Sequence, residues 1–466
     1  MHRRGYGPAV LLAAVALASA GSSSAFAKAP AAEQDQQKLL EDERRREMNA
    51  RPKPDEDMKQ PWLWDAGGWM HLELDQLDDE PLRDTRTYRY ADLRLWGEVR
   101  YDRTYSLYCR IRTAYTDFNS GDQFSGTEDN VFQSPHFDEV YADADWTDSS
   151  GRGLSARAGR AFVSMGSGLL YNDLAYMLQG TYSQDRWAVR AWLGHSIIHE
   201  ADIDQSIEHA NKSYRGYIGV EGEVLITGNH RVYGMLLVER DFNRDQFSSV
   251  DWTYNANYFG VGARGTAWAG LGYSAELVYE FGESAAATST QMESISAFAA
   301  LLTLDYQIPG AMEPTLLLQY LYGSGDPDRQ STTDALAGNQ AGTDDHGFLS
   351  FGFVQTGYSL FPRVSNIHIL RIGGTLRPLE SVDWLHKLQV GVFGYLYRKA
   401  QSESPISDSR AFLDDADVGK EVDLTLRWRI YSDLGFSLNY GCFFPGDAYL
   451  ETKARNFLSL GMTYSF

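Results

Sequence analysis

From Ala91 to Tyr101 the odd positions carry Ala91, Leu93, Leu95, Val99 and Tyr101, while the even ones carry Asp92, Arg94, Glu98 and Arg100. From Tyr105 to Ile111 the odd positions are again apolar, and Arg110 and Arg112 fall on the other face. Near the end Val422, Leu424, Leu426, Trp428 and Ile430 alternate with Asp423, Thr425, Arg427 and Arg429. A period of two predicts strands with one greasy and one charged face.

A soluble sandwich alternates too, so length and end chemistry must separate the two architectures. The apolar runs last roughly nine to eleven residues, which suits a tilted membrane strand and exceeds the usual globular strand. Tyr101, Tyr105 and Tyr440 stand at the ends of apolar faces, where interfacial girdles put aromatic rings. Leu458, Leu460, Met462, Tyr464 and Phe466 alternate with Ser459, Gly461, Thr463 and Ser465. That run is similar to the terminal strand of bacterial outer-membrane barrels, whose final aromatic is read by the insertion machinery, here Phe466.

Lipid cannot satisfy an open sheet edge, so the sheet must close. The fold expected over residues 61–466 is all-β: a transmembrane antiparallel up-and-down barrel. At about 22 residues per strand and connection, it has about eighteen strands and a lumen wide enough for water. Five long polar connections are expected, at Thr116 to Pro135, Asp241 to Asp251, Gly323 to Gly347, Gln401 to Gly419 and Pro445 to Asn456. Asp102 to Thr104 and Ser432 to Leu434 read as short periplasmic turns.

Residues 1–27 read as a cleaved secretory signal, with Arg3 and Arg4, an apolar run from Ala9 to Ala20, and small residues at Ala25 and Ala27. The apolar run falls short of the ~20 residues of a membrane span. Residues 28–60 are charged, broken by Pro52 and Pro54, and predict a flexible periplasmic extension or, less simply, a plug or a partner-binding helix that docks a periplasmic scaffold. These readings place the mature chain in the Gram-negative outer membrane, against lipid and lipopolysaccharide.

Composition narrows the function. The formal charge is −21, which argues against nucleic acid as a partner. Two cysteines make no disulfide framework, and Cys109 and Cys442 fall on apolar faces by parity. If apolar faces meet lipid, then Arg94, Arg100, Arg110, Arg112, Arg157, Arg190, Arg371, Arg427 and Arg429 line the lumen, with Asp92, Glu98 and Asp423 among them. Pairing Tyr101 with Tyr105 sets Arg94 opposite Arg112, with Asp92 diagonal to Arg112 and Glu98 diagonal to Arg110. Such arginines either stiffen the wall as ion pairs or offer carboxylate sites, since guanidinium donates two parallel hydrogen bonds.

Several strings resemble the alginate-export family of outer-membrane porins. One is Gly419-Lys420-Glu421-Val422-Asp423-Leu424, followed one hairpin later by Pro445-Gly446-Asp447-Ala448-Tyr449. Another runs from Gly159-Arg160 through Ser167-Gly168 to Asp173. The resemblance implies an eighteen-stranded barrel exporting a uronate polysaccharide through an arginine-rich constriction, and carries Arg160, Asp173, Glu421 and Asp423 over as pathway positions. The family's long periplasmic lid near the closing strands is replaced here by Tyr431 to Gly435 alone. A general or sugar-acid channel is the alternative.

Other chemistry is weaker. Ser365, Asn366 and His368 lie close together, but on a strand Ser365 and His368 face opposite ways, which spoils a hydrolase pair. Asp326, Asp328, Asp334, Asp344 and Asp345 crowd one loop as calcium candidates, yet the spacing of a calcium loop is missing. No cofactor is expected, and a structural or adhesive barrel would predict a narrow or plugged lumen.

Overall fold

The computed structural model describes residues 61–79, 84–102, 104–122, 130–198, 213–242, 253–285, 291–329 and 339–466. The signal sequence and the charged extension read over 1–60, and Asp334, lie outside the described residues.

Eighteen strands follow one another in the chain. The first six are β1 (Trp62–Asp79), β2 (Asp84–Tyr101), β3 (Tyr105–Phe118), β4 (Asn130–Asp145), β5 (Gly153–Met165) and β6 (Tyr171–Ser183). Next come β7 (Trp187–His195), β8 (Arg215–Thr227), β9 (His230–Asp241), β10 (Tyr254–Trp268), β11 (Leu271–Ala285) and β12 (Met292–Gln307). The last six are β13 (Thr315–Gly323), β14 (Ile367–Leu376), β15 (Leu388–Lys399), β16 (Asp417–Arg429), β17 (Leu434–Pro445) and β18 (Arg455–Ser465). Every neighbour pairs antiparallel, and β1 pairs with both β2 and β18, which closes the barrel. Closure leaves no sheet edge for lipid to strand.

The alternation sorts as expected. Leu95, Ile111, Leu178, Leu193, Ile218, Leu277, Val392 and Leu424 are exposed on the outside, while Asp92, Arg94, Arg110, Glu276, Glu280 and Asp423 are buried inside. Cys109 and Cys442 share the outward parity and are unbridged. Strand length departs from the expectation: β1 and β2 reach 18 residues each, because pairing continues above the apolar band through outward polar positions such as Gln76 and Arg89.

Short connections gather at the end that holds Trp62 and the C-terminal strand's last residues, and long ones at the other. In outer-membrane barrels the short-turn end is periplasmic. The longest connection, β13 to β14, spans 324–366 and outruns the expected Gly323 to Gly347. Its second half turns into the barrel. Phe348 and Leu349 are buried there among Tyr258, Tyr217, Tyr171 and Met165, so the hydrophobic core of this molecule sits inside the lumen.

Candidate functional site: the barrel lumen

The arginines of the first wall point inward, as parity requires, and are matched by acids. Arg94 Nε donates to Asp92 Oδ1 at 2.9 Å, and Arg112 Nε donates to Asp92 Oδ2 at 2.7 Å. Arg94 does stand opposite Arg112 in the register, and the shared Asp92 relieves the like charges. The other expected diagonal does not form. Arg110 goes instead to Asp138 at 2.5 Å and Glu139 at 3.4 Å, and Glu98 takes Arg100 at 2.8 Å. The cause is an irregularity in the β3–β4 register at Arg110/Ile111, which brings both Asp138 and Glu139 to the inside.

Arg157 forms a fork with Asp143, at 2.7 and 2.9 Å, and lies over the Tyr141 ring. Arg190 binds Glu221 at 2.8 Å and the Ser164 carbonyl. Arg160 pairs in register with Val140 and Tyr176 and lies over the Tyr176 ring; its Nε is buried, and its charge acts on Asp138. Asp173 is inward, and its Oδ1 accepts the amide of Leu174.

The closing wall differs. Arg371 lies 4.2 Å over Phe393 and 5.4 Å over Tyr395, with no carboxylate within salt-bridge reach. Arg427 and Arg429, on β16, likewise have no acid partner among the described residues, and Arg429 donates to the Ser432 carbonyl. Between them and Arg94 lie β17, β18 and β1, whose inward side chains include Ser437, Thr463, His71 and Glu73. At ~4.8 Å per strand, four steps part the two groups by roughly 19 Å, so they do not merge into one basic wall.

Inward acids hold the loops, a role the sequence did not reveal. Glu421, expected from the resemblance as a pathway position, is the clearest case. Its carboxylate accepts three successive amides, Tyr358 N at 2.7 Å, Ser359 N at 2.7 Å and Leu360 N at 3.0 Å, and the Tyr397 hydroxyl at 3.1 Å. Asp423 is fully buried beside it. Across the lumen Glu280 accepts Leu349 N at 3.0 Å, while Tyr258 binds both Glu280 and the Leu349 carbonyl. The β5–β6 turn also dips inward, held by Glu221 on Gly166 N and by Glu276 on Ser167 N.

The two inward segments meet. Phe351 N donates to the Leu170 carbonyl and Phe353 N to that of Gly168. A Cβ at Gly352 would stand 2.1 and 2.2 Å from the Leu169 and Gly168 carbonyl oxygens, so only glycine allows this approach. The lumen is therefore constricted by a strap running from β5–β6 to β16. The parity of Glu276 and Glu280 against Leu277 and Tyr279 was the available signal. Arg215 with Glu239 and Asp241, Arg231 and Arg264 on Glu223, and Arg455 on Asp408 are inward cations missed in the same way.

In the extracellular connection 400–416, burial of Asp408 is outweighed by Arg455 and Arg410, which hold its carboxyl below the usual range. In the 324–366 connection, burial raises the Asp326 carboxyl. Asp345 binds Arg329 at 2.7 Å rather than gathering with Asp326 and Asp328, and no cluster of metal-ligating residues occurs among the described residues. Ser365 precedes β14 rather than lying on it and is buried, whereas His368 faces outward on the Tyr320 hydroxyl at 2.7 Å.

The alginate-export family matches residues 77–462. The chain belongs to that family. No curated protein sequence matches it. Among solved structures it is similar to OccK8 (OprE) of Pseudomonas aeruginosa, at TM-score 0.55 and 10% identity over 86% of this chain and 98% of that one. OccAB2 of Acinetobacter baumannii gives the same figures. OpdK of P. aeruginosa, solved with vanillate, has TM-score 0.52 and 12% identity over 86% and 98%. At such identities these barrels share the fold. The protein is thus an outer-membrane β-barrel porin of an export family, a transporter by class.

Proposed function

We propose that the barrel passes anionic sugar polymers of the uronate kind, with the closing wall as the face that meets them. The observation that carries this reading is the contrast between the two walls. Acids pair with Arg94, Arg110, Arg157 and Arg190, whereas Arg371, Arg427 and Arg429 form no ion pair among the described residues, Arg371 having Asp423 as its nearby acid. Free forks suit carboxylates, and the Phe393 and Tyr395 rings beside Arg371 suit the apolar faces of sugar rings. Several weak sites in series let a polymer enter and leave.

The strap favours a second reading, a channel for single sugar acids, since it narrows the lumen. That a barrel of this fold was solved with vanillate, a small carboxylate, fits the same reading. Planar-bilayer recordings distinguish the two. In the exporter reading the wild type prefers anions and polyuronate blocks its current more strongly than monomeric uronate. Replacing Arg427 and Arg429 together by Glu moves the reversal potential towards cations and relieves the block. A cation-selective wild type that uronates never block sinks both readings; block by the monomer alone leaves the small-solute channel.

A further inference from the structure

The outer face carries a feature that transport through the lumen does not use. Between β6 and β9, on the membrane side, lies a groove of about 490 Å³ lined by Tyr176, Leu178, Leu193, Ile218, Val238 and Phe242. Its upper rim holds His195 and Arg240, at the extracellular ends of β7 and β9. Gly216 stands in register between these two, and its missing side chain leaves the hollow; a Cβ there would meet the Phe242 ring at 2.6 Å. Below the rim the outward positions become apolar without interruption, from Leu193 and Ile218 down to Val189, Val220 and Val224.

Arg240 is exposed, and it donates to the Glu239 and Ala256 carbonyls and to Asn257 Oδ1 at 3.0 Å. Among the described residues these partners are all neutral, so no acid there compensates its charge, which stands at the extracellular end of the outward apolar band. The lipid of the outer leaflet is lipopolysaccharide, which sets phosphates directly above a bundle of acyl chains. An apolar groove capped by an unmatched guanidinium is complementary to that arrangement, because arginine binds phosphate with two parallel hydrogen bonds. We propose that this groove is a lipopolysaccharide site, with one acyl chain along Leu178, Leu193 and Ile218 and a lipid A phosphate on Arg240.

The full-length protein, extracted from outer membranes in mild detergent and passed through gel filtration, is assayed for bound lipopolysaccharide by native mass spectrometry. The wild type retains it. Arg240→Glu, which repels the phosphate, and Ile218→Trp, which fills the groove, each lower retention about tenfold. Lys420→Glu, an outward cation on β16 away from the groove, retains it as the wild type does. Heat-modifiable migration shows that each barrel has folded. For an Arg240→Glu protein that does not fold, the wild type is compared in nanodiscs of lipid A with and without its phosphates, and only the phosphorylated lipid is held. Wild-type retention by folded Arg240→Glu and Ile218→Trp barrels overturns the site, as does equal binding of the two lipid A forms or retention of phospholipid alone.

Discussion

Leu424 and Thr425 are adjacent in the chain and belong to different solvents. Leu424 is exposed on the outer wall, and Thr425 faces the lumen on the parity of Glu421 and Asp423. Leu424→Arg puts a cation into hydrocarbon at a cost of about 2–4 kcal/mol near the midplane, while Thr425→Arg adds a charge to a wet channel. Refolding yield into bilayers, read as the heat-modifiable fraction, is expected to fall for the first and hold for the second; equal yields would refute the assignment of faces. Glu421 makes the same point about roles. Family resemblance marks it as a pathway residue, but its carboxylate is spent on three backbone amides of the strap. Glu421→Ala leaves those donors without an acceptor, a loss on the order of 3 kcal/mol in anchoring. Single-channel recordings of that variant are expected to show higher and noisier conductance. A quiet channel with altered uronate block alone would instead make Glu421 a substrate contact.

At the scale of the element, what distinguishes this barrel is how its extracellular connections fold. The strap of 324–366 is tied to its neighbour 400–416 through Asn366, whose Nδ2 donates to the carbonyls of Gln401, Ser404 and Pro405. The latter connection is pinned in turn by Asp408 on Arg455 at 2.7 Å. Since the Asp408 carboxyl is held below its ordinary value, its contribution to folding is present above the unfolded pKa of about 3.9 and lost as pH falls through the folded value. Hydrogen-exchange protection across 401–416, taken relative to the intrinsic rate at each pH, is expected to be high at pH 7 and to fall below about pH 4, with the strands unaffected. Asp408→Asn is expected to show the low protection already at pH 7. Protection that ignores pH in the wild type would remove Asp408 from this role.

The whole molecule carries a formal charge of −21, yet the lumen is not uniformly acidic or basic. One wall is close to neutral by pairing, and under the proposed function the guanidinium groups of the other, which form no ion pair among the described residues, set the selectivity of the pore. Those on Arg427 and Arg429 are partly exposed to the lumen, so mobile ions screen them. Raising the ionic strength from 0.1 to 1 M shortens the screening length from about 10 to about 3 Å. At a constant concentration ratio, the reversal potential is expected to lose most of its anion preference over that range. A preference that survives 1 M salt would have to come from buried charge.

Closure, strand direction and the face of each side chain were legible in the order of residues, because a period of two has one solution in lipid: greasy side out, polar side in, no free edge. Arg94, Arg110, Arg371 and Arg427 could thus be sent to the lumen from parity alone, and eighteen strands follow from length. Whether an inward arginine is free was not legible. Arg110 meets Asp138 only because the β3–β4 register is irregular there, and Arg427 is unmatched only because no acid faces it from β15 or β17. The stretch from Phe348 to Val354 alternates much as a strand does, yet it lies across the lumen, since no wall position is left for it once β13 pairs with β14. Pattern decides what a residue faces in a sheet; which partner it meets across an open lumen depends on residues far away in the chain, and that is settled only when the barrel closes around them.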